Sequence, residues 1–357
     1  MSEIPRTGFI IYDRPGYFAE LRHLAEAADP GDHLSVMAMV LHTASDEITG
    51  LMAALTDAAK RGVHVQAIVD AHTFMLDIDD FRPGPLWLDT KFSSKFMHGN
   101  FGATYERLQD LHRAGGTYSI INRPAKRFSN PYAGRSHIQL ALANNQVFLG
   151  GCNFERPEYL DIMIGFTDYA TADWLRNLSG RIADKASALV AMDGQDVEHQ
   201  VNETTNIYVD AGVPKRSLIM KQAYQLIDEA QESLVITCQY FPGGETAQRL
   251  LAAHHRGVKV KIYYSPPASH GFQAPGHWAY NRLQQRKLPP EFFEHVMPAE
   301  APRLHAKILM SEKSLLVGSH NYVAAGVNLG TAEIAMRVDG DSDLNKRVTQ
   351  HIFKLVS

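Results

Sequence analysis

The strongest constraint on this 357-residue chain is that it restates itself. Near the start, Phe9-Ile-Ile-Tyr-Asp13 leads into a helical pattern over Tyr17–Ala28 and a strand-like run over Leu34–Val40. The second half gives the same order as Asn206–Asp210, Ser217–Ala230 and Ser233–Tyr240. Each half then enters an amphipathic helix. Ile48, Leu51, Met52 and Leu55 share a face in the first, and Ala247, Leu250, Leu251 and His254 in the second. Both helices stop at Arg-Gly (Arg61-Gly62, Arg256-Gly257), where glycine is the expected cap, and an alternating strand follows, Val63–Val69 or Val258–Tyr264. Matches in one order along the whole length imply duplication, and β-helix-β units imply an α/β sheet in each half. The polar stretch Met192–Thr205 is expected to connect a first repeat, 1–195, to a second, 196–357.

The repeats also share a cassette. One copy runs His137-Ile-Gln139 to Gly150-Gly151-Cys152-Asn153, the other His305-Ala-Lys307 to Gly318-Ser319-His320-Asn321. Two residues apart in an extended segment, His305 and Lys307 emerge on one face. The apolar run Ile308-Leu309-Met310, a polar turn at Ser311-Glu312-Lys313 and the return Leu315-Leu316-Val317 form a hairpin that brings Ser319 and Asn321 back beside them. An imidazole, a cation and an amide converging on one point suit a phosphate. The matched His and Asn in each half point to one composite site.

Here the residues resemble the phospholipase D superfamily, whose signature is H-x-K-x(4)-D followed by G-[GS]-x-N. The stretch Gly318–Asn321 with Gly326-Val-Asn-Leu-Gly-Thr-Ala-Glu333 is similar to its bacterial cardiolipin-synthase-like branch. The resemblance spans nearly the whole chain. It implies two repeats, each a mixed β-sheet flanked by helices, related by a pseudo-twofold axis. It also implies metal-independent chemistry with no cofactor, in which one histidine attacks phosphorus and the other protonates the leaving oxygen. His137 and His305 match these histidines, with His305 the better surrounded. Lys307 matches the phosphate-binding lysine, and Asn153 and Asn321 the asparagines on phosphate oxygens, with Ser319 and Gln139 beside them. Glu333 in the second half and Asp161 in the first fit the acidic residues that orient a histidine, each placed with the histidine of its own repeat.

The first motif is degenerate: Gln139 stands where the lysine belongs. Asn144 and Glu312 occupy the place of the motif aspartate, each hairpin is one residue shorter than the common form, and Glu312 reads as an exposed turn residue. The long segment Thr73–Asn100 and the shorter Ser265–Gly276 are expected to be lids, substrate loops or edge covers. Arg123–Arg127 reads as a solvated loop, Cys152 as a small buried residue, and His254-His255 as no metal site.

A formal net charge of −4 disfavours a nucleic-acid partner. Two cysteines fit a reducing cytosol, and no leader or membrane-spanning run is evident, so a cytoplasmic protein, peripheral to a membrane at most, is expected. With both half-sites in one chain, a monomer suffices. These readings favour a phosphodiesterase or phosphatidyltransferase on phospholipid head groups. The alternatives are a nuclease or nucleotide phosphodiesterase, and an impaired protein that only binds phosphate-bearing ligands.

Overall fold

The computed structural model describes residues 8–43, 45–77, 82–92, 97–155, 159–265, 274–295 and 303–356, and every count or absence below refers to these. Two mixed sheets carry the duplication. The first runs Ile10–Asp13, Ile162–Thr167, Gln146–Gly150, Leu140–Ala143, His33–Ala38, His64–Asp70, Thr117–Ile121. The second runs Thr205–Asp210, Glu333–Asp339, Ser314–Gly318, Lys307–Ser311, Ser233–Cys238, Lys259–Tyr264, Phe293–His295. Position for position the orders agree, as two α/β repeats about a pseudo-twofold axis require.

The second sheet gains one edge strand, Val197–Asn202, paired antiparallel with Thr205–Asp210. The stretch read as a connection therefore contains a strand. Exposed Glu198 and Gln200 alternate with half-buried Val197, His199 and Val201, so polar composition hid a period of two.

The sheets face one another across a shared core. Leu140, Leu142, Leu149 and Ile164 meet Ile308, Met310, Val317 and Ile334 there, with Leu175 and Ile182 of helix Tyr169–Lys185 and Val348 and Ile352 of helix Ser342–Val356. A second cluster packs helices Arg14–Ala27, Asp46–Lys60 and Gly99–Arg113 on the outer face of the first sheet, and a third packs Leu218–Glu229 and Gly244–His255 on the second. Burying both faces of a sheet leaves little freedom in how the repeats meet. No helix is long and apolar enough to cross a membrane.

The amphipathic helices are spaced as the pattern requires, with Ile48, Leu51, Met52 and Leu55 all buried. In the second repeat the buried stripe is Thr246, Ala247, Leu250 and Ala253. Leu251 and His254 lie at its margin, because small residues let this helix approach its sheet. Gly62 and Gly257 close their helices at φ +95° and +94°. The preceding arginines have a duty the glycine pattern did not suggest. Arg61 Nη2 donates to the carbonyls of Ala25, Glu26 and Ala28, and Arg256 Nη2 to those of Ile227, Asp228 and Ala230. Each thus satisfies the open C-terminus of the preceding helix in its own repeat.

Candidate active site

Each cassette is a hairpin approached by its histidine. Lys307–Ser311 pairs antiparallel with Ser314–Gly318, placing Lys307 opposite Gly318, and Leu140–Ala143 pairs likewise with Gln146–Gly150. The turns explain the missing motif aspartate. Asn144 Oδ1 accepts the backbone N–H of His33 at 2.9 Å. Glu312 accepts those of Gln231, Glu232 and Ser233 at 3.1 to 3.3 Å. Burial pushes the Glu312 carboxyl up, but backbone hydrogen bonds outweigh it and hold the group below its ordinary value. Glu312 lies in the turn between the hairpin strands and, beyond that reading, anchors the hairpin to the neighbouring strand.

Past the hairpins the repeats interlock. Arg303–Leu304 pairs parallel with Tyr159–Leu160, and the N–H of His305 donates to the Leu160 carbonyl at 2.8 Å. Symmetrically, Ser136 bridges Ala332, and the N–H of His137 donates to the Ala332 carbonyl at 2.8 Å. Each histidine therefore sits beside the acidic residue of the other repeat. His305 Nδ1 donates to Asp161 Oδ2 at 2.6 Å. His137 Nδ1 lies 3.3 Å from Glu333 Oε1 and 3.1 Å from Oε2. The expectation that each carboxylate serves its own half is corrected: backbone pairing across the interface fixes the exchange.

Electrostatics follow from burial. Desolvation, with the Lys307 ammonium next, lowers His305 to about 4. Burial pushes Asp161 up, yet Lys307 and His305 hold it below its ordinary value. Burial likewise opposes ionisation of Glu333, but His137, His320 and the Ser319 hydroxyl overcome it. Both carboxylates are therefore anionic at neutral pH. A carboxylate on Nδ1 favours the Nδ1–H tautomer of each histidine, which leaves the lone pair on Nε2.

A cavity of about 710 Å³ opens over these groups, lined by His137, His305, His320, Asn153, Asn321, Glu155 and Glu333. Tyr132, Tyr159, Tyr240 and Tyr280 form its aromatic wall, with Met39, Val40, Val323 and Leu329 among its aliphatic residues. Three residues expected on the phosphate are not in this lining. Lys307 is 1% exposed; its ammonium donates to the His305 carbonyl at 2.6 Å and lies 2.6 and 3.0 Å from that ring's nitrogens and 3.6 Å from Asp161 Oδ2. Gln139 is fully buried, and its Nε2 donates to Asn153 Oδ1. Ser319, also fully buried, donates its hydroxyl to Glu333 Oε2 at 2.5 Å. Each holds a group that does face the cavity. Asn321 lines it with a buried Oδ1 that has no partner.

Motif spacing also missed several residues. Arg14, 3% exposed, donates from Nη1 to the Asn153 carbonyl at 2.7 Å and from Nη2 to that of Glu155, while pairing with Glu47 at 3.2 Å. It therefore fixes the loop that carries Asn153. His320 was visible between Ser319 and Asn321, but nothing distinguished it from filler. The tyrosines carry no sequence signal.

Of the two inserted segments, Ser265–Gly276 leads into helix Ala274–Gln285, which brings Gly276 and Tyr280 to the cavity. Residues 266–273 lie outside the described set. No described residue of Thr73–Asn100 lines the cavity; 78–81 and 93–96 lie outside that set. Arg123 lies over the Phe92 ring at 5.5 Å beside a separate cleft, and Arg127 pairs with Asp89 at 3.6 Å, both away from the histidines. Cys152 is buried with its thiol pushed up by desolvation. No group of three or more His, Cys, Asp or Glu is arranged to hold a metal ion among the described residues.

Residues 224–356 match the family model described as cardiolipin synthase, PLD-like domain. A comparison with curated protein sequences found no match. Among solved structures, the fold is similar to the phosphatidylserine synthase of Haemophilus influenzae Rd KW20, with TM-score 0.71 and 12% identity, over 96% of this chain and 85% of that one. It is also similar to the polyphosphate kinase of Porphyromonas gingivalis, with TM-score 0.55 and 12% identity, over 97% of this chain but 50% of the kinase.

Proposed function

We propose that this chain, a member of the phospholipase D superfamily, cleaves phosphodiesters or transfers phosphatidyl groups through a phosphohistidine, acting on phospholipid head groups. The observation that carries the reading is the pair of carboxylate-held imidazoles, one from each repeat, on one cavity.

His305 is the nucleophile. Lowered to about 4, it is neutral at pH 7, with its proton on Nδ1 and a lone pair on Nε2. As Nε2 attacks, a P–N bond forms, the P–O bond to the leaving group breaks, and protonated His137 gives its Nε2 proton to the departing oxygen. Water or an acceptor hydroxyl then surrenders a proton to His137 and bonds to phosphorus while the P–N bond breaks. Asn321 and Asn153 supply amide donors to the phosphate oxygens. Lys307 acts from beneath the cavity, its buried ammonium held on the His305 carbonyl and beside Asp161, where its charge favours the anionic phosphate without touching it. Gln139 and Ser319 act indirectly, by orienting Asn153 and Glu333.

The walls favour a lipid. Tyrosines and aliphatic side chains form much of the lining, and its described residues include no lysine or arginine to track a polyanion. Trp278 and Leu283, half exposed on the helix that carries Tyr280, offer a place for peripheral membrane contact. Two buried free cysteines fit the cytoplasm, and a composite site complete within one chain fits a monomer.

The test is to incubate the protein with vesicles of head-group-labelled phospholipid, and separately with bis(p-nitrophenyl) phosphate. Head-group release or exchange and a phosphoryl adduct in the intact mass are expected, both lost in His305→Ala. Turnover of the aryl diester without the lipid would leave the phosphodiesterase and remove the lipid. No turnover of either, with His305→Ala indistinguishable from wild type, would leave only phosphate binding.

A further inference from the structure

The cavity holds a third imidazole that the two-histidine scheme leaves idle. His320 is 3% exposed and follows Ser319 in the loop after strand Ser314–Gly318. Its counterpart across the pseudo-twofold axis is Cys152, a buried thiol outside the cavity lining, so this imidazole has no twin.

Geometry fixes its protonation. The backbone N–H of Tyr322 donates to His320 Nδ1 at 2.8 Å, which leaves Nδ1 without a proton and puts the ring's proton on Nε2. Burial disfavours the imidazolium, and Glu333 only partly opposes that, so the ring stays neutral near pH 7. A neutral imidazole used as acceptor at Nδ1 is a donor at Nε2. Its chain neighbour Ser319 donates to Glu333, which holds His137, and this places His320 on the His137 side of the cavity. On that side Gln139 is buried and tied to Asn153, so the first cassette has no positive charge near its histidine, whereas the second holds the Lys307 ammonium beneath His305.

We propose that His320 is a catalytic residue that donates its Nε2–H to the phosphate oxygen on the His137 side, replacing the cation that Gln139 does not supply. The assignment rests on the phosphodiester chemistry proposed above. No bond to His320 forms or breaks; it supplies a hydrogen bond that strengthens as charge builds on phosphorus oxygens. A second donor, made by the repeat that kept its lysine, compensates for the repeat that lost one.

A merely structural His320 would need only the Tyr322 contact. Asparagine keeps an acceptor at the Nδ1 place and loses the donor; glutamine keeps a donor near Nε2 and loses the acceptor. With bis(p-nitrophenyl) phosphate, His320→Asn is expected to lose on the order of 10²-fold in kcat with little change in KM and a native melting profile. His320→Gln should retain most of the activity that His320→Asn loses. Activity of His320→Asn within twofold of wild type would overturn the proposal. So would equal losses in both variants with lowered melting temperatures. If wild type turns over nothing, the phosphodiesterase reading fails by itself, and calorimetric binding of inorganic phosphate decides this one. Affinity at least tenfold weaker in His320→Asn than in wild type supports the donor, and unchanged affinity overturns it.

Discussion

Asp161 accepts the Nδ1–H of His305 at 2.6 Å across 144 positions of sequence, while the histidine of its own repeat, His137, is held by Glu333. Each half of the chain therefore contributes a histidine to one arm of the site and a carboxylate to the other. The exchange follows from short parallel backbone pairings, Arg303–Leu304 with Tyr159–Leu160 and Ser136 with Ala332.

That relationship predicts which residues couple. Asp161→Asn should fail to hold the Nδ1–H tautomer of His305 and cost up to ~10⁴-fold in kcat, the scale of the same change in a Ser-His-Asp triad. In a double-mutant cycle scored on residual kcat for bis(p-nitrophenyl) phosphate, Asp161→Asn should be non-additive with His305→Gln and nearly additive with His137→Gln. Stronger coupling to His137 would contradict the exchange.

Gly151 tests the same contact from behind. A Cβ there would come within 2.3 Å of Asp161 Oδ1, whereas its counterpart Ser319 fits and donates to Glu333. Gly151→Ser should displace Asp161 and lower kcat by roughly the factor seen in Asp161→Asn. Ser319→Gly removes one hydrogen bond to a carboxylate and should cost less, about 1.5–3 kcal/mol of stability. Equal losses of kcat in the two variants would refute the asymmetry.

Gln139→Lys looks like a repair of the motif, and the buried surroundings predict otherwise. The change removes the bond to Asn153 and places an ammonium where Gln139 is fully buried. We expect a loss of stability at pH 7 of up to ~3–5 kcal/mol, the cost of an uncompensated buried charge, and no gain in kcat. Burial lowers a lysine's folded pKa below its unfolded value near 10.4, so the deficit should shrink as pH rises toward that value. Urea denaturation at pH 7 and pH 9 measures both effects.

Acid should unfold the protein through buried imidazoles. Desolvation lowers both His72 and His305 to about 4. Between the unfolded value near 6.5 and that folded value, the unfolded chain binds more protons, so stability is complete above pH 6.5 and falls as pH drops toward 4. Each group accounts for roughly 3 kcal/mol over that window. His72 donates from Nδ1 to the Pro131 carbonyl at 2.9 Å. His72→Asn keeps a donor there and should flatten the pH dependence of urea stability by about one proton, an effect absent if His72 titrates normally.

The sequence carried the architecture further than the site. Repeat order and period were enough for two α/β units, because helix and strand spacing is local and was written twice. Val197–Asn202 escaped because an edge strand with a wet face contains few apolar residues. The histidines and asparagines of the cassettes do meet on one cavity, since hairpin pairing fixes them. Which carboxylate holds which histidine was not legible, because backbone contacts between the halves leave no periodic trace. Lys307, Gln139 and Ser319 were placed correctly along the chain but not in depth. Burial at one end of a hairpin depends on the opposing repeat.

Fusion of two half-sites into one polypeptide also removes a restriction that a homodimer would face. Two identical subunits must present the same side chain on both sides of their axis, so any specialisation of one arm is copied into the other. Here the arms differ at matched positions that include Gln139 against Lys307, Gly151 against Ser319, and Cys152 against His320. A covalent link thus lets the surroundings of one imidazole change while those of the other stay as they are, which identical subunits cannot do.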